Sequence, residues 1–183
     1  MQEITNRHGE KITVDDENQI LDTINRWLEK DVRDQILELE HADAYPHEMV
    51  EQMKDLGLFG ATISQDYGGM GLPSQTYAKI VTTISEVWMS LTGIFNSHLI
   101  MAAAVERFGT EEQKSRLLPR MASGELRGGL ALTEPDCGTD LQAIRTRAVR
   151  DGDEYVIDGT KTWISNGLEG NCVALLVKTD VDI

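Results

Sequence analysis

The spacing of apolar residues changes period once along this chain, near residue 122, and that change limits the fold more than any single motif. Before it, apolar positions recur at helical intervals. Ile20, Ile24, Trp27, Leu28, Val32, Ile36 and Leu39 advance by threes and fours, drawing one stripe down a long amphipathic helix. Asp16 with Gln19 has the form of a capping box at its start. Pro46 stands where a first helical position is expected, Met49, Val50, Met53 and Leu56 carry a short helix, and Gly57 can terminate it. After the glycine-rich loop "SQDYGGMGLPS", Ser74 can cap a third helix through Tyr77, Ile80, Val81, Ile84 and Trp88. A fourth, from Leu91 to Phe108, is apolar nearly all round and belongs in the middle of a bundle. Gly109 ends it, and Thr110 with Gln113 opens a fifth that fades at "ASGE".

From Leu126 onward the runs are short and β-like, separated by turn signals: "RTRAVR" leads into "DGD", "EYVI" into Asp158-Gly159, "TKTWIS" into Asn166-Gly167, and "CVALLVKT" follows. This pattern predicts an antiparallel meander. Residues 126–183 suffice for about four or five strands, whereas a small closed barrel takes about eight, so the barrel is incomplete and its last strand an open edge. The expected fold is α+β, with an all-α helical domain over 1–125 and a partial β domain over 126–183.

Charge and cysteine usage remove several function classes. Lys plus Arg number 17 against 31 Asp plus Glu, a net −14 that repels phosphate backbones and anionic lipid surfaces. Neither nucleic acid nor membrane is an expected partner. The polar amino end carries no signal peptide, and no run is read as a membrane span of about 20 apolar residues, so the expected location is cytoplasmic. Cys137 and Cys172 match no metal spacing and are read as ordinary half-buried residues; His8, His41, His47 and His98 are assigned no chemistry, and no metal site is expected.

Two stretches carry the chemistry. In "LALTEPDCGTD", Pro135 ends ladder pairing and Gly138 permits a tight turn, which leaves backbone donors and the hydroxyls of Thr133 and Thr139 at the end of a strand. In "TKTWISNG", Trp163 and Ser165 lie two apart, hence on one face if the segment is a strand. An aromatic wall beside a hydroxyl suits a planar ring with polar edges, such as a flavin. Taken singly, Trp163 is more often core and Thr-Glu-Pro more often a capped turn; about 25 residues apart and separated by hairpins, the two together point to a site. "GGMGLPS" is not a dinucleotide fingerprint, because it lacks the third glycine and a βαβ setting.

At these residues the sequence resembles the acyl-CoA dehydrogenase family. The ordered segments "DLGLFGATISQDYGGMG", "ERFGTEEQKSRLLPRMASGE", "ALTEPDCGTD" and "DEYVIDGTKTWISNG" are similar to that family's helical domain followed by the start of its middle β domain. Ser64, where proline is usual, and Thr139, where serine is usual, depart from its pattern. The resemblance implies FAD bound along Leu130, Ala131, Leu132, Thr133, Glu134, Pro135, Gly138 and Thr139, with Trp163, Ile164 and Ser165 on the other edge. It implies an acyl-CoA substrate touched by Thr139 and floored by Thr92, Phe95 and Leu99, although plain helix packing explains those three equally well.

The implied reaction removes a proton next to the thioester carbonyl and a hydride from the carbon beyond, in fatty-acid or amino-acid catabolism. Electron transfer flavoprotein is the implied acceptor. The family's base is a Glu from a carboxyl-terminal helical domain that also builds the oligomer, so no catalytic residue is named within 1–183. A homo-oligomer or a complementing carboxyl-terminal chain is expected. Glu134 is read as stabilising its turn. A non-catalytic flavin- or partner-binding module, and a flavin oxidase or hydroxylase on the same fold, remain open alternatives.

Overall fold

The computed structural model describes residues 3–6 and 8–179. A short antiparallel hairpin, β1 (Glu3–Thr5) and β2 (Lys11–Thr13), pairs Ile4 with Ile12 and delivers Thr13 in an extended conformation to the first helix, α1 (Val14–Trp27). Thr13 is the cap: its hydroxyl accepts the Asp16 N–H at 3.1 Å, and the Asp16 carboxylate accepts the Thr13 N–H at 3.0 Å. The capping box therefore lies one turn earlier than the expected Asp16–Gln19 pair.

The helix is also not continuous. A π turn (Leu28–Val32) and a 3-10 turn (Arg33–Gln35) precede α2 (Ile36–His41), and the wide turn keeps Trp27, Leu28 and Val32 all buried. α3 (His47–Asp55) follows, with Pro46 as its cap residue rather than its first helical one, and Gly57 at φ +72° ends it as expected. The glycine-rich loop is held down by Glu10, whose carboxylate accepts the Ser64 hydroxyl at 2.9 Å and the Gln65 N–H at 2.7 Å. Ser64, the departure from the family pattern, thus supplies a donor that proline lacks.

The third and fourth expected helices form one kinked element, α4 (Ser74–Phe108). Trp88 breaks it with φ −154° and ψ 102°, and its indole N–H donates to the Glu40 carboxylate. Pro73 rather than Ser74 occupies the cap position, without a side-chain bond. By length and composition α4 is apolar enough to cross a membrane, which the sequence reading passed over; its apolar residues Ile80, Ile84, Leu91, Phe95, Leu99 and Met101 are buried in the helical core. Each such side chain contributes about 1.5–3 kcal/mol by leaving water. α5 (Glu111–Ala122) starts on the expected Thr110–Gln113 capping box.

His98, on α4, is fully buried, its Nε2–H donating to the Met121 carbonyl at 3.0 Å and its ring edge-on to Phe59 at 5.3 Å. Burial pushes the imidazole down to about 4 from an ordinary 6.5. Between those values the unfolded chain binds a proton that the folded chain refuses. The contribution is fully present above pH 6.5 and is lost as pH falls toward 4, about 3 kcal/mol in all. Urea unfolding should therefore show stability falling already between about pH 6.5 and 5, before carboxylates begin to protonate. In His98→Gln that segment of the profile should be flat.

The β portion departs from the expected meander. β3 (Gly128–Ala131) lies against α4 and pairs in parallel with the later β6 (Cys172–Leu175), Gly128 opposite Cys172 and Ala131 opposite Leu175. Between them, β4 (Arg147–Asp151) and β5 (Glu154–Asp158) form the antiparallel hairpin predicted at "DGD". Asp158-Gly159 and Asn166-Gly167 do not close hairpins, and "TKTWIS" is a loop rather than a strand. Among the described residues the sheets are two-stranded and no barrel closes.

Candidate functional site

The site is built at the end of β3. Leu130 and Ala131 belong to the strand, and the Ala131 carbonyl accepts the Leu176 N–H at 3.1 Å. Beyond it the chain leaves the ladder. Thr133 is half-buried, its carbonyl accepting the Thr162 N–H at 2.9 Å, and Pro135 caps a tight turn in which Glu134 and Cys137 exchange backbone bonds of 2.9 and 3.2 Å. Gly138 and Thr139 follow on the exposed surface.

Glu134 anchors the turn. Its buried carboxylate accepts the Arg145 N–H at 2.6 Å, the Thr146 N–H at 2.9 Å, the Thr146 hydroxyl at 2.6 Å and the Lys161 ammonium at 2.8 Å. Burial alone would raise its proton affinity, but these donors outweigh burial and hold the carboxyl far below the usual range. Such a group is a poor base.

The second segment meets the first. The Thr162–Thr133 bond joins them, and a Cβ placed on Gly129 would stand 2.9 Å from the Ser165 carbonyl and 3.1 Å from Ser97 on α4. Asn166 fastens the loop from beyond, its amide donating at 2.8 Å to the carbonyls of both Ile94 and Gly128. Thr133, just past the last residue of β3, and Ser165, against Gly129 nearer its first, thus lie along the same strand, joined through Thr162. The expected reason for pairing Trp163 with Ser165 was incorrect, since no strand gives them a common face. Trp163 instead sits at φ +57°, in the left-handed region costly to a bulky residue, with its side chain 93% exposed; Ile164 is half-buried and Ser165 exposed.

This donor set fits a flavin edge. Among the described residues the hydroxyls of Thr133, Thr139 and Ser165 make no hydrogen bond, nor do the backbone N–H groups of Leu132 and Thr133. The buried Thr162 hydroxyl oxygen, between Thr133 and Trp163 in the joint, is likewise unpartnered, a cost of about 1–3 kcal/mol that a polar ligand can offset. An exposed indole held in a strained backbone beside free donors is what a planar polar-edged ring would cover.

The acyl-floor candidates are divided. Phe95 is fully buried, edge-on to Tyr77 at 6.2 Å, and the buried Thr92 hydroxyl donates to the Met89 carbonyl at 2.6 Å, so both serve helix packing in this structure. Leu99 lines a cavity of about 460 Å³ with Leu72, Tyr77, Asn96, Ile100 and Ala103. The Tyr77 hydroxyl donates to the Asn96 side chain there, and burial pushes it up to about 12. Sequence reasoning passed over Asn96, Thr146, Lys161 and Asn166; the only signal for Asn96 was its position one turn from Leu99 on an otherwise apolar helix.

A helical domain is docked on β3, with the proline turn beyond the strand and the Trp163–Ser165 loop held along it. Residues 14–125 match the acyl-CoA dehydrogenase N-terminal domain and residues 129–182 the acyl-CoA dehydrogenase middle domain. The chain belongs to the acyl-CoA dehydrogenase family. It is 37% identical over 137 residues to (2S)-methylsuccinyl-CoA dehydrogenase of Cereibacter sphaeroides, covering 75% of this chain and 25% of that protein. It is 31% identical over 189 residues to mitochondrial isovaleryl-CoA dehydrogenase of Bos taurus, covering 97% of this chain and 44% of that one. The crystal structure of a glutaryl-CoA dehydrogenase from Mycobacterium smegmatis in complex with FADH2 superposes with a TM-score of 0.81 at 29% identity, over 92% of this chain and 44% of that one. The chain therefore spans less than half the length of these relatives.

Proposed function

We propose that this chain supplies the flavin-edge and acyl-floor portion of an FAD-dependent acyl-CoA dehydrogenase, which introduces a double bond between the α and β carbons of an acyl-CoA thioester. The observation that carries the reading is the convergence of Thr133 with the Trp163–Ser165 loop, joined through Thr162. Bound FAD would supply the hydride acceptor. Leu130 to Thr133 and Thr139 would hold one edge of its ring, with the free N–H groups of Leu132 and Thr133 and the hydroxyls of Thr133 and Ser165 favouring the negative charge that reduction places there. Trp163 and Ile164 would cover the ring and exclude water. Thr139, exposed after the proline turn, would meet the CoA arm, and the cavity at Leu99 would take the acyl chain.

The proton next to the thioester carbonyl requires a carboxylate. Glu134 does not provide it, because its oxygens are committed to four donors, so the base comes from a partner segment, in this chain's own protein or a complementing one. The same partner would cover the hairpin side chains of Val149, Tyr155, Val156 and Ile157, each more than half exposed. Electrons would pass to an electron-transferring flavoprotein.

Titration with FAD should give saturable one-to-one binding and a flavin absorption spectrum. Anaerobic addition of short or branched acyl-CoA to the chain completed by a carboxyl-terminal helical domain should bleach that spectrum. A chain that takes up no FAD would support a non-catalytic module instead; a bound flavin that acyl-CoA leaves unchanged would overturn the dehydrogenase reading, and one that bleaches but is rapidly reoxidised by oxygen would support oxidase chemistry on the same fold.

A further inference from the structure

Lys161 and Glu134 form a buried pair that direct flavin contact does not use. The Lys161 ammonium donates at 2.8 Å to the Glu134 carboxylate and at 2.8 Å to the Leu132 carbonyl, and the two side chains are 9% and 5% exposed. Burying opposite charges in this way is costly, and apolar groups of similar volume often give equal or greater stability. The geometry shows what the pair accomplishes. Lys161 grips residues 132 and 134, and the next residue, Thr162, grips the Thr133 between them through its N–H. Three consecutive residues of the proline turn are therefore bound by two consecutive residues of the other loop, immediately ahead of Trp163. The carboxylate extends the hold to Arg145 and Thr146, at the start of the hairpin.

We propose that Lys161 is a positioning residue: through Leu132 and Glu134 it registers the Thr133 donors against Trp163 and Ser165, and so sets flavin affinity without touching the flavin. The proposal rests on the FAD reading above. Lys161→Met alone leaves the Glu134 carboxylate buried without its ammonium partner, so the informative variant is the double replacement Lys161→Met with Glu134→Gln, which removes both charges at nearly constant volume.

The double variant should fold with a lowered melting temperature, since the introduced glutamine can still accept from Thr146 but turns an amide NH2 toward the Arg145 N–H, so affinity and exchange are compared at a temperature where both proteins are fully folded. There FAD affinity should fall by about tenfold or more, and in the flavin-free protein the Thr162 amide should exchange with solvent about tenfold or more faster. The absorption of any residual bound flavin should move toward that of free FAD. Wild-type affinity or a wild-type Thr162 exchange rate in the double variant overturns the proposal, as does a double variant that does not fold, which would make the pair a stability element. Should the wild-type chain bind no FAD, the functional reading fails separately; the flavin-free exchange rate then decides the registry, faster exchange supporting it and unchanged exchange overturning it.

Discussion

Gly128→Ala should lower the stability of the protein by about 3 kcal/mol or more, with a fall in melting temperature on the order of 10 °C. A Cβ at residue 128 would stand 1.8 Å from the Cys172 carbonyl oxygen and 2.7 Å from its carbon, both backbone atoms that cannot turn aside. Gly128 opposes Cys172 at the first rung of the β3–β6 ladder, and its carbonyl also accepts the Asn166 amide, so the clash acts on the strand pairing and on the loop that carries Trp163 together. Gly138→Ala is the control, since nothing lies within 4 Å of a Cβ there. Thermal unfolding followed by circular dichroism separates the two; equal shifts would mean that close approach at Gly128 is not what holds the strands.

Trp163→Gly should have the opposite profile, with little change in stability and a large loss of flavin binding. The indole is 93% exposed, so almost no buried contact is lost. Removing it relieves a left-handed backbone that costs a non-glycine residue about 1–2 kcal/mol, while glycine adds about 1 kcal/mol of unfolded-state entropy; the two roughly cancel. Stacking of a heteroaromatic ring on an indole is worth about 1–3 kcal/mol, so FAD affinity should weaken by about tenfold or more. Isothermal titration with FAD alongside a thermal melt checks both. A variant that binds FAD as the wild type does would remove Trp163 from the site.

The helical half was legible because its signals are local. Amphipathic spacing, the Thr110–Gln113 box and the glycine at residue 57 depend on neighbours within a few turns, and even the division of α4 at Trp88 followed from the apolar pattern. The misplaced start of α1 has the same origin: two equally valid boxes lie side by side, and the hairpin that selects Thr13 is stabilised by contacts to the glycine-rich loop more than fifty residues away. The β half was less legible because partner choice is non-local. Gly128–Ala131 pairs with a strand forty-four residues later, in parallel, and nothing within either run announces it. Asn166-Gly167 has the chemistry of a hairpin turn, yet Asn166 uses its positive φ and its amide to fasten a loop to Ile94 and Gly128.

At the site, the two segments could be read because a proline turn carrying hydroxyls, and an indole close to a serine, are compact local signals. Lys161 could not, since a lysine in "TKTW" looks like a solvated side chain until the fold buries it against Glu134. Thr92 and Phe95 show the converse, being apolar-face residues whose position on a helix does not reveal which way the cavity opens.

The central claim is that Thr133 and the Trp163–Ser165 loop hold one ring together. Amide hydrogen exchange of the chain with and without saturating FAD tests it residue by residue. The account predicts that Leu132, Thr133 and Ser165 slow together on binding, with the hairpin at 147–158 unaffected; protection of one segment without the other, or of neither, would contradict it.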